Sequence, residues 1–237
     1  MNVIRLFIEQ DYLKIQDSEK DAKLKLWKME ALQHQINPHF LHNTLNIIFW
    51  ESVKLTGSEN LCSQMISSLS SIMRYSLSDP QEDVLIKDEI DYVKKYLDIM
   101  RLRFPEKFDA EFLIEPECEN VSVKKMLLQP LAENSIYHGF REKEGKGLIR
   151  ISVCQTSPGR LEFTVYDNGM GIPMEQMERL SLTLSQQSGN THQHIGVPNT
   201  NSRLILSYGE ESALKIESVV GEFTRIRFTI PTDGPNI

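Results

Sequence analysis

The segment Asp167-Asn168-Gly169-Met170-Gly171-Ile172-Pro173 directly follows an alternating run of Leu161, Phe163 and Val165. A carboxylate at a strand end, followed by two glycines, makes a rigid acceptor beside backbone that a flat ligand can approach closely. The same residue types also build plain tight turns, so the segment alone leaves both readings open. Upstream, Asn134 and His138 stand four apart in Gln129-Pro130-Leu131-Ala132-Glu133-Asn134-Ser135-Ile136-Tyr137-His138-Gly139. That spacing puts them on one helix face, with Leu127, Leu128 and Leu131 on the apolar one. An amide oxygen is a hard ligand suited to magnesium, which takes few protein ligands and completes its octahedron with water and phosphate oxygens. Downstream, Ile195-Gly196-Val197-Pro198-Asn199 precedes a helix whose first N–H groups suit a phosphate.

A second kind of chemistry lies near the N-terminus, in Leu32-Gln33-His34-Gln35-Ile36-Asn37-Pro38-His39-Phe40-Leu41-His42-Asn43-Thr44-Leu45-Asn46. A neutral imidazole offers one nucleophilic nitrogen at pH 7 while the other is held by a hydrogen bond. A phosphorylated ring nitrogen is in turn a reactive phosphoryl donor. His39 and His42 form an i, i+3 pair of the kind zinc accepts, but no Cys, Asp or Glu spacing completes a four-ligand set. His34 and His42 read as satisfied core or surface histidines. Asn43, four residues after His39, shares its helix face and either orients a water at a phosphoryl group or bonds to a neighbouring helix.

Elements that could position these groups follow from periodicity. Ile8, Ile15, Ala22, Met29 and Ile36 recur every seventh residue. This predicts one long helix from Val3 to Ile36 with a narrow, weak coiled-coil seam. Pro38 restarts the helix. Apolar spacing through Phe40, Leu41, Leu45, Ile48 and Phe49, then Leu61, Met65, Ile66, Leu69, Ile72 and Met73, predicts two antiparallel helices joined at Gly57-Ser58. Another helix is expected from Lys87 to Arg101. Beyond it the pattern predicts strands Phe108 to Ile114, Leu148 to Cys154, Arg160 to Tyr166, Ala213 to Val219 and Phe223 to Ile230. Helices are expected over Val123 to His138, Met174 to Leu184 and Asn199 to Tyr208. Ser185 to Gln193 is polar throughout. An all-helical first half and a mixed second half place a border near Phe104 and Pro105.

The 237 residues are 40% hydrophobic and 25% charged, which suits a globular protein and excludes collagen, fibre and wholesale disorder. A net charge of −7 gives no chain-wide attraction for nucleic acid or anionic lipid, so no nucleic-acid partner is expected and any phosphate must be held locally. Cys62, Cys118 and Cys154 are odd in number and widely spaced, which makes a reducing compartment the default. No apolar run approaches the ~18 residues a membrane span needs, and Met1 to Gln10 lacks a signal pattern.

Taken in this order and spacing, the blocks around Asn134, Asp167 and Gly196 resemble the N, G1 and G2 boxes of the GHKL ATP-binding domain, the Bergerat fold of histidine kinases, gyrase, Hsp90 and MutL. The resemblance implies ATP and Mg2+ as ligands, with Asn134 as the magnesium ligand and Asp167 as acceptor for the adenine amino group. It places Gly169 and Gly171 along the nucleotide, Gly196 at the phosphates, and His138 and Asn199 in the same binding set. Ser185 to Gln193 would be the ATP lid. The Leu32 to Asn46 segment is similar to the H-box of the LytS/YesM sensor histidine kinases, whose pattern is QINPHFL, an aromatic residue, then NTLN. This implies His39 as phosphoacceptor, a homodimer, and a cognate response regulator whose aspartate receives the phosphoryl group. Glu133 becomes a candidate proton acceptor for His39, and Asn43 a candidate phosphatase residue.

Two positions depart from the pattern: His42 stands where the family has an aromatic residue, and His194 where it has a second glycine. Pro130 occupies the place of the water-activating glutamate of gyrase-like relatives, which disfavours net ATP hydrolysis. The expected architecture is α+β. Residues 1–36 form a coiled-coil signalling helix, 37–103 dimerisation and phosphotransfer helices that make a four-helix bundle in the dimer, and 104–237 a Bergerat-type α/β sandwich. A sensor domain and membrane spans are missing, and the apolar Val3 to Ile8 stub suggests truncation of a cytoplasmic portion otherwise anchored in a bacterial membrane. The alternative is a degenerate kinase acting as a nucleotide-binding scaffold. Because the seam and the two amphipathic helices need a partner surface, light scattering at micromolar concentration should give a dimer, and a monomer there would refute it.

Overall fold

The computed structural model describes residues 38–77, 79, 82–185 and 196–232. The expected helix Val3 to Ile36, with its seam, and the lid beyond Ser185 lie outside them, as do His34 and His194.

Helix α1 is described over Pro38–Thr56. It ends at Gly57, which takes φ +75 and donates its N–H to the Val53 carbonyl at 2.8 Å. Asn60 then caps α2 (Leu61–Leu77). Its Oδ1 accepts from the Ser63 N–H at 3.1 Å while Ser63 Oγ accepts from the Asn60 N–H at 2.9 Å, a reciprocal cap. Between the two helices, His42 Nδ1 meets Ser70 Oγ at 2.7 Å and its Nε2 meets the Asn46 amide nitrogen at 3.1 Å. His42 is thereby occupied in holding the hairpin. A groove of about 210 Å3 opens beside it, bordered by Trp50 and Arg74. The hairpin leaves Ile47, Trp50, Leu55, Leu61 and Met65 exposed.

Helix α3 (Ile86–Arg103) buries Ile86, Ile90, Val93, Leu97 and Met100, a stripe at helical spacing flanked by Tyr92 and Tyr96. These residues share one core with the sheet that follows, although they precede the Phe104-Pro105 border.

That sheet has five strands: β2 (Phe108–Ile114), β4 (Gly147–Ser157), β5 (Arg160–Asp167), β7 (Phe223–Pro231) and β6 (Lys215–Val219), in the order β2-β4-β5-β7-β6. The β2 and β4 strands pair in parallel, and the other neighbours are antiparallel. Strand periodicity sends Ile149, Ile151 and Val153, then Leu161, Phe163 and Val165, then Ile226, Phe228 and Ile230 to the same buried face. There they pack with α3, α4 (Gln129–Asn134) and α6 (Gly196–Tyr208). The opposite face is charged, with Arg150 on Glu111 and Arg225 on Glu217. Helix α5 (Met174–Ser185) follows β5, as expected.

Two departures concern the segment before the site. Residues Val123 to His138 are not one helix. Val123 lies in β3 (Ser122–Lys124), which pairs antiparallel with β1 (Asp83–Leu85), and neither short strand was anticipated. A loop runs from Lys125 to Leu128, α4 holds only Gln129–Asn134, and a π turn spans Ser135–Gly139. Pro130 accounts for the late start, because its ring would clash with a helical carbonyl at Met126. Met126 itself takes φ +58, a left-handed conformation uncommon outside glycine. Helix α6 already includes Gly196, the first described residue beyond Ser185, whereas the expected helix began at Asn199.

Phe163 is the centre of the sheet's contribution to the core, stacked on Phe228 at 4.8 Å between ring centroids. Truncating it to alanine should cost about 3–5 kcal/mol of stability in urea unfolding, the usual range for a buried phenylalanine.

Candidate functional site

Asp167 is the next inward position after Leu161, Phe163 and Val165, so strand periodicity alone carries its carboxylate to the core face, where it is 4% exposed. A buried carboxylate needs donors. Ser135 Oγ donates to Oδ2 at 2.7 Å, and the Gly169 N–H donates to Oδ1 at 2.9 Å. Burial nonetheless pushes the Asp167 carboxyl above the ordinary aspartate range, against the opposing pull of those bonds.

The glycines around it are required by close approach. A Cβ on Gly169 would stand 2.5 Å from the Gly139 carbonyl oxygen, while one on Gly171, at φ +68, would stand 2.2 Å from the Val219 oxygen. Glycine at these two positions lets the loop lie flat between the π turn and the β6–β7 turn. Backbone bonds fix it there, from Met170 N–H to Gly139 O at 2.9 Å and from Gly221 N–H to Met170 O at 2.7 Å.

Asn134 ends α4, and Gly196 opens α6 beside it. A Cβ built on Gly196 would lie 3.9 Å from the Asn134 amide nitrogen and 3.6 Å from the Pro130 side chain. The first turn of α6 therefore faces the last turn of α4 with little in between. The helix switches to π geometry immediately after Asn134, and Ser135, first residue of that turn, binds Asp167. Three segments far apart in sequence thus converge: α4 with its π turn, the loop after β5, and the start of α6. Half-buried Glu133, next to Asn134, has its carboxyl pushed up by burial, and its charge adds to the burial that raises the Tyr96 phenol. His138 and Asn199 are exposed at the edges of this arrangement.

His39 lies on α1, and Asn43 is exposed one turn further along it. Among the described residues no three His, Cys, Asp or Glu side chains group to hold a metal, and no helix is long and apolar enough to cross a membrane. Three structural contributors carried no role in the sequence reading: Ser135; Asn168, whose Oδ1 accepts the Leu148 N–H at 2.7 Å; and buried Asn201, which accepts from Leu214 N–H at 2.8 Å. Each makes its bond to a distant segment, so only the polar type at a core-facing position could have marked it.

Two family models match the chain: "Histidine kinase" over residues 27–108, and "Histidine kinase-, DNA gyrase B-, and HSP90-like ATPase" over residues 123–234. The chain is 33% identical to the sensor protein LytS of Bacillus anthracis, over 92% of this chain and 36% of that protein. It is 35% identical to the sensor histidine kinase YesM of Bacillus subtilis, over 90% of this chain and 35% of that protein. The chain therefore spans about a third of the length of the curated relatives it matches. Among solved structures it resembles the histidine kinase domain of the Erythrobacter litoralis EL346 blue-light activated histidine kinase, at 13% identity and a TM-score of 0.47, over 86% of this chain and 90% of that one.

The raised Asp167 carboxyl has a consequence for stability. The folded chain holds that proton more tightly than the unfolded chain, so the contribution of this group falls as pH rises from about 4 through its folded value. Asparagine cannot titrate. Urea midpoints measured from pH 4 to 7 should show wild type losing ground to Asp167→Asn as pH increases, and parallel curves would contradict the assignment.

Proposed function

The chain belongs to the histidine kinases of the LytS/YesM type, and from that premise we propose that it is the ATP-dependent catalytic portion of a two-component sensor. It phosphorylates His39 and passes the phosphoryl group to an aspartate of a response regulator. The observation that carries this reading is the convergence on Asp167 of the π turn and the glycine loop, with Asn134 and the start of α6 side by side. Gly169 and Gly171 let the loop lie against the Gly139 and Val219 carbonyls without a side chain in the way, which suits a loop that a flat base approaches through its backbone.

In this assignment Asp167 accepts from the adenine amino group, Gly169 and Gly171 line the nucleotide, and Gly196 with Asn199 borders the phosphates at the helix start. Asn134 supplies an oxygen to Mg2+, which neutralises phosphate charge when bound. His138 completes the binding set. An imidazole nitrogen of His39 attacks the γ-phosphorus. The P–N bond forms as the bond to the β,γ-bridging oxygen breaks, ADP departs, and the proton on the other ring nitrogen passes to Glu133. Burial raises the Glu133 carboxyl, which makes it a stronger proton acceptor than an exposed glutamate. Asn43 is assigned to orienting a water in the reverse, dephosphorylating sense.

We divide the chain into a signalling helix over 1–36, dimerisation and phosphotransfer helices over 37–103, and the ATP-binding unit over 104–237. The exposed Ile47, Trp50, Leu61 and Met65 support a homodimer through the hairpin. A cytoplasmic placement, with membrane anchoring supplied by a region beyond this chain, goes with the same proposal.

Incubation with γ-labelled ATP should mark the wild type with an acid-labile, base-stable phosphoryl group, because a phosphoramidate nitrogen is protonated and expelled in acid. His39→Gln should abolish the label while still binding ATP, and His42→Gln should keep it. Asp167→Asn should weaken Mg-ATP binding by about 1–3 kcal/mol in calorimetry, the loss of a hydrogen bond to a charged acceptor. Persistent label in His39→Gln overturns the acceptor; bound ATP without any wild-type label overturns the kinase activity of this chain.

A further inference from the structure

Glu89 lies on α3, outside the cradle, and is 1% exposed, yet it collects four donors. Its Oε2 accepts from the Tyr75 hydroxyl at 2.5 Å and the Met126 N–H at 2.7 Å. Its Oε1 accepts from the Leu127 N–H at 2.8 Å and the Leu128 N–H at 3.0 Å. Three of the donors are consecutive amides of the loop that delivers the chain into α4, and the fourth comes from the last turn of α2.

Other bonds run in parallel. The Tyr75 ring stacks on Tyr92 at 4.2 Å, and the Tyr92 hydroxyl donates to Gln129, the first residue of α4, at 2.7 Å. The Lys125 ammonium, fully buried, donates to the Tyr75 carbonyl at 3.1 Å. From α6, Arg203 donates to the Lys125 carbonyl at 2.8 Å. The last turn of α2 is therefore tied to the entrance of α4, and that entrance to the helix that opens at Gly196.

We propose that Glu89 is a positioning residue for the nucleotide site, and that through Tyr75 it makes the placement of Asn134 depend on the last turn of α2. Three consecutive amides bonded to one carboxylate fix the peptide planes of residues 126–128, and those planes set the direction of α4. A buried carboxylate cannot rotate away from one donor and keep the rest, so the phenol and the loop shift together or the charge is left unmatched. The coupling is reciprocal: a ligand that fixes Asn134 stiffens the loop and, through Glu89, the end of α2. The proposal rests on the assignment of the cradle to a nucleotide.

Hydrogen exchange of the whole chain, with and without Mg2+ and a non-hydrolysable ATP analogue, tests it. In wild type the analogue should slow exchange both over 126–134 and over 72–77. Tyr75→Phe keeps the ring on Tyr92 and drops the hydroxyl; it should retain the slowing over 126–134 and lose it over 72–77. Glu89→Gln should speed exchange of the Met126 to Leu128 amides even without nucleotide, and should that variant fail to fold, Tyr75→Phe alone decides. Wild-type slowing confined to 126–134 overturns the coupling and leaves the nucleotide site standing. An unchanged response over 72–77 in Tyr75→Phe overturns the route through the phenol, and absence of slowing anywhere in wild type overturns the nucleotide reading and this proposal with it.

Discussion

The rest of the structure depends on a buried carboxylate that its neighbours must satisfy. Moving an ionised side chain out of water costs several kcal/mol unless donors replace the lost solvent, and Glu89 finds four, one hydroxyl and three backbone amides. The converse requirement is as strict. The loop from Lys125 to Leu128 is neither strand nor helix, so its amides have no ladder to join, and each one buried without a partner would cost about 1–3 kcal/mol. Carboxylate and loop therefore require each other, and the requirement locks α3 against the segment that carries Asn134. The strained Met126 backbone persists because its own amide and those of the next two residues are held by Glu89.

Asp167 presents the same physical problem with a different solution. It too is a carboxylate on the core side, but it stands at the end of a strand, where the Ser135 hydroxyl and the backbone N–H groups of Gly169 and Thr224 bond its side chain. Its carboxyl is raised by burial, whereas its surroundings are glycines pressed against backbone. Glu89 is enclosed by donors and reads as architecture. Asp167 is bonded by a hydroxyl and by the amides of its own loop and of β7, so its carboxylate ties the strand end to the π turn and to β7.

Much of this fold was legible because its periodicities are clean. Strands β5 and β7 alternate apolar and polar without interruption, and the α1–α2 hairpin announces itself through helical spacing and Gly57. The segment Val123 to Leu128 misled for a physical reason: Val-Lys-Lys-Met-Leu-Leu has helical composition, and what overrides it is a proline ahead and a carboxylate 37 residues back in sequence at Glu89. Strands β1 and β3 are three residues each, too short for a period to show. In the site, the order of Asn134, Asp167 and Gly196 could be read from residue types. The bond from Ser135 to Asp167 spans 32 positions and could not be, because a serine beside an asparagine signals nothing until the turn that aims it is known.

Helix α3 decides how the helical and mixed parts of the chain meet. Its apolar stripe belongs to the sheet's core, and Ile72 and Tyr75 of α2 pack onto that same core from the hairpin side. The two family matches, over 27–108 and 123–234, therefore join across packed surface and not across a solvated linker. Packed surfaces with buried polar bonds do not yield by degrees, since every intermediate position leaves a donor or acceptor unmatched. Sliding the end of α2 would break the Tyr75 hydroxyl bond to Glu89 and the Lys125 bond to the Tyr75 carbonyl together, because both originate in one residue. Motion at this joint therefore has to break both bonds at once, which makes the end of α2 and the entrance of α4 move as one unit or not at all.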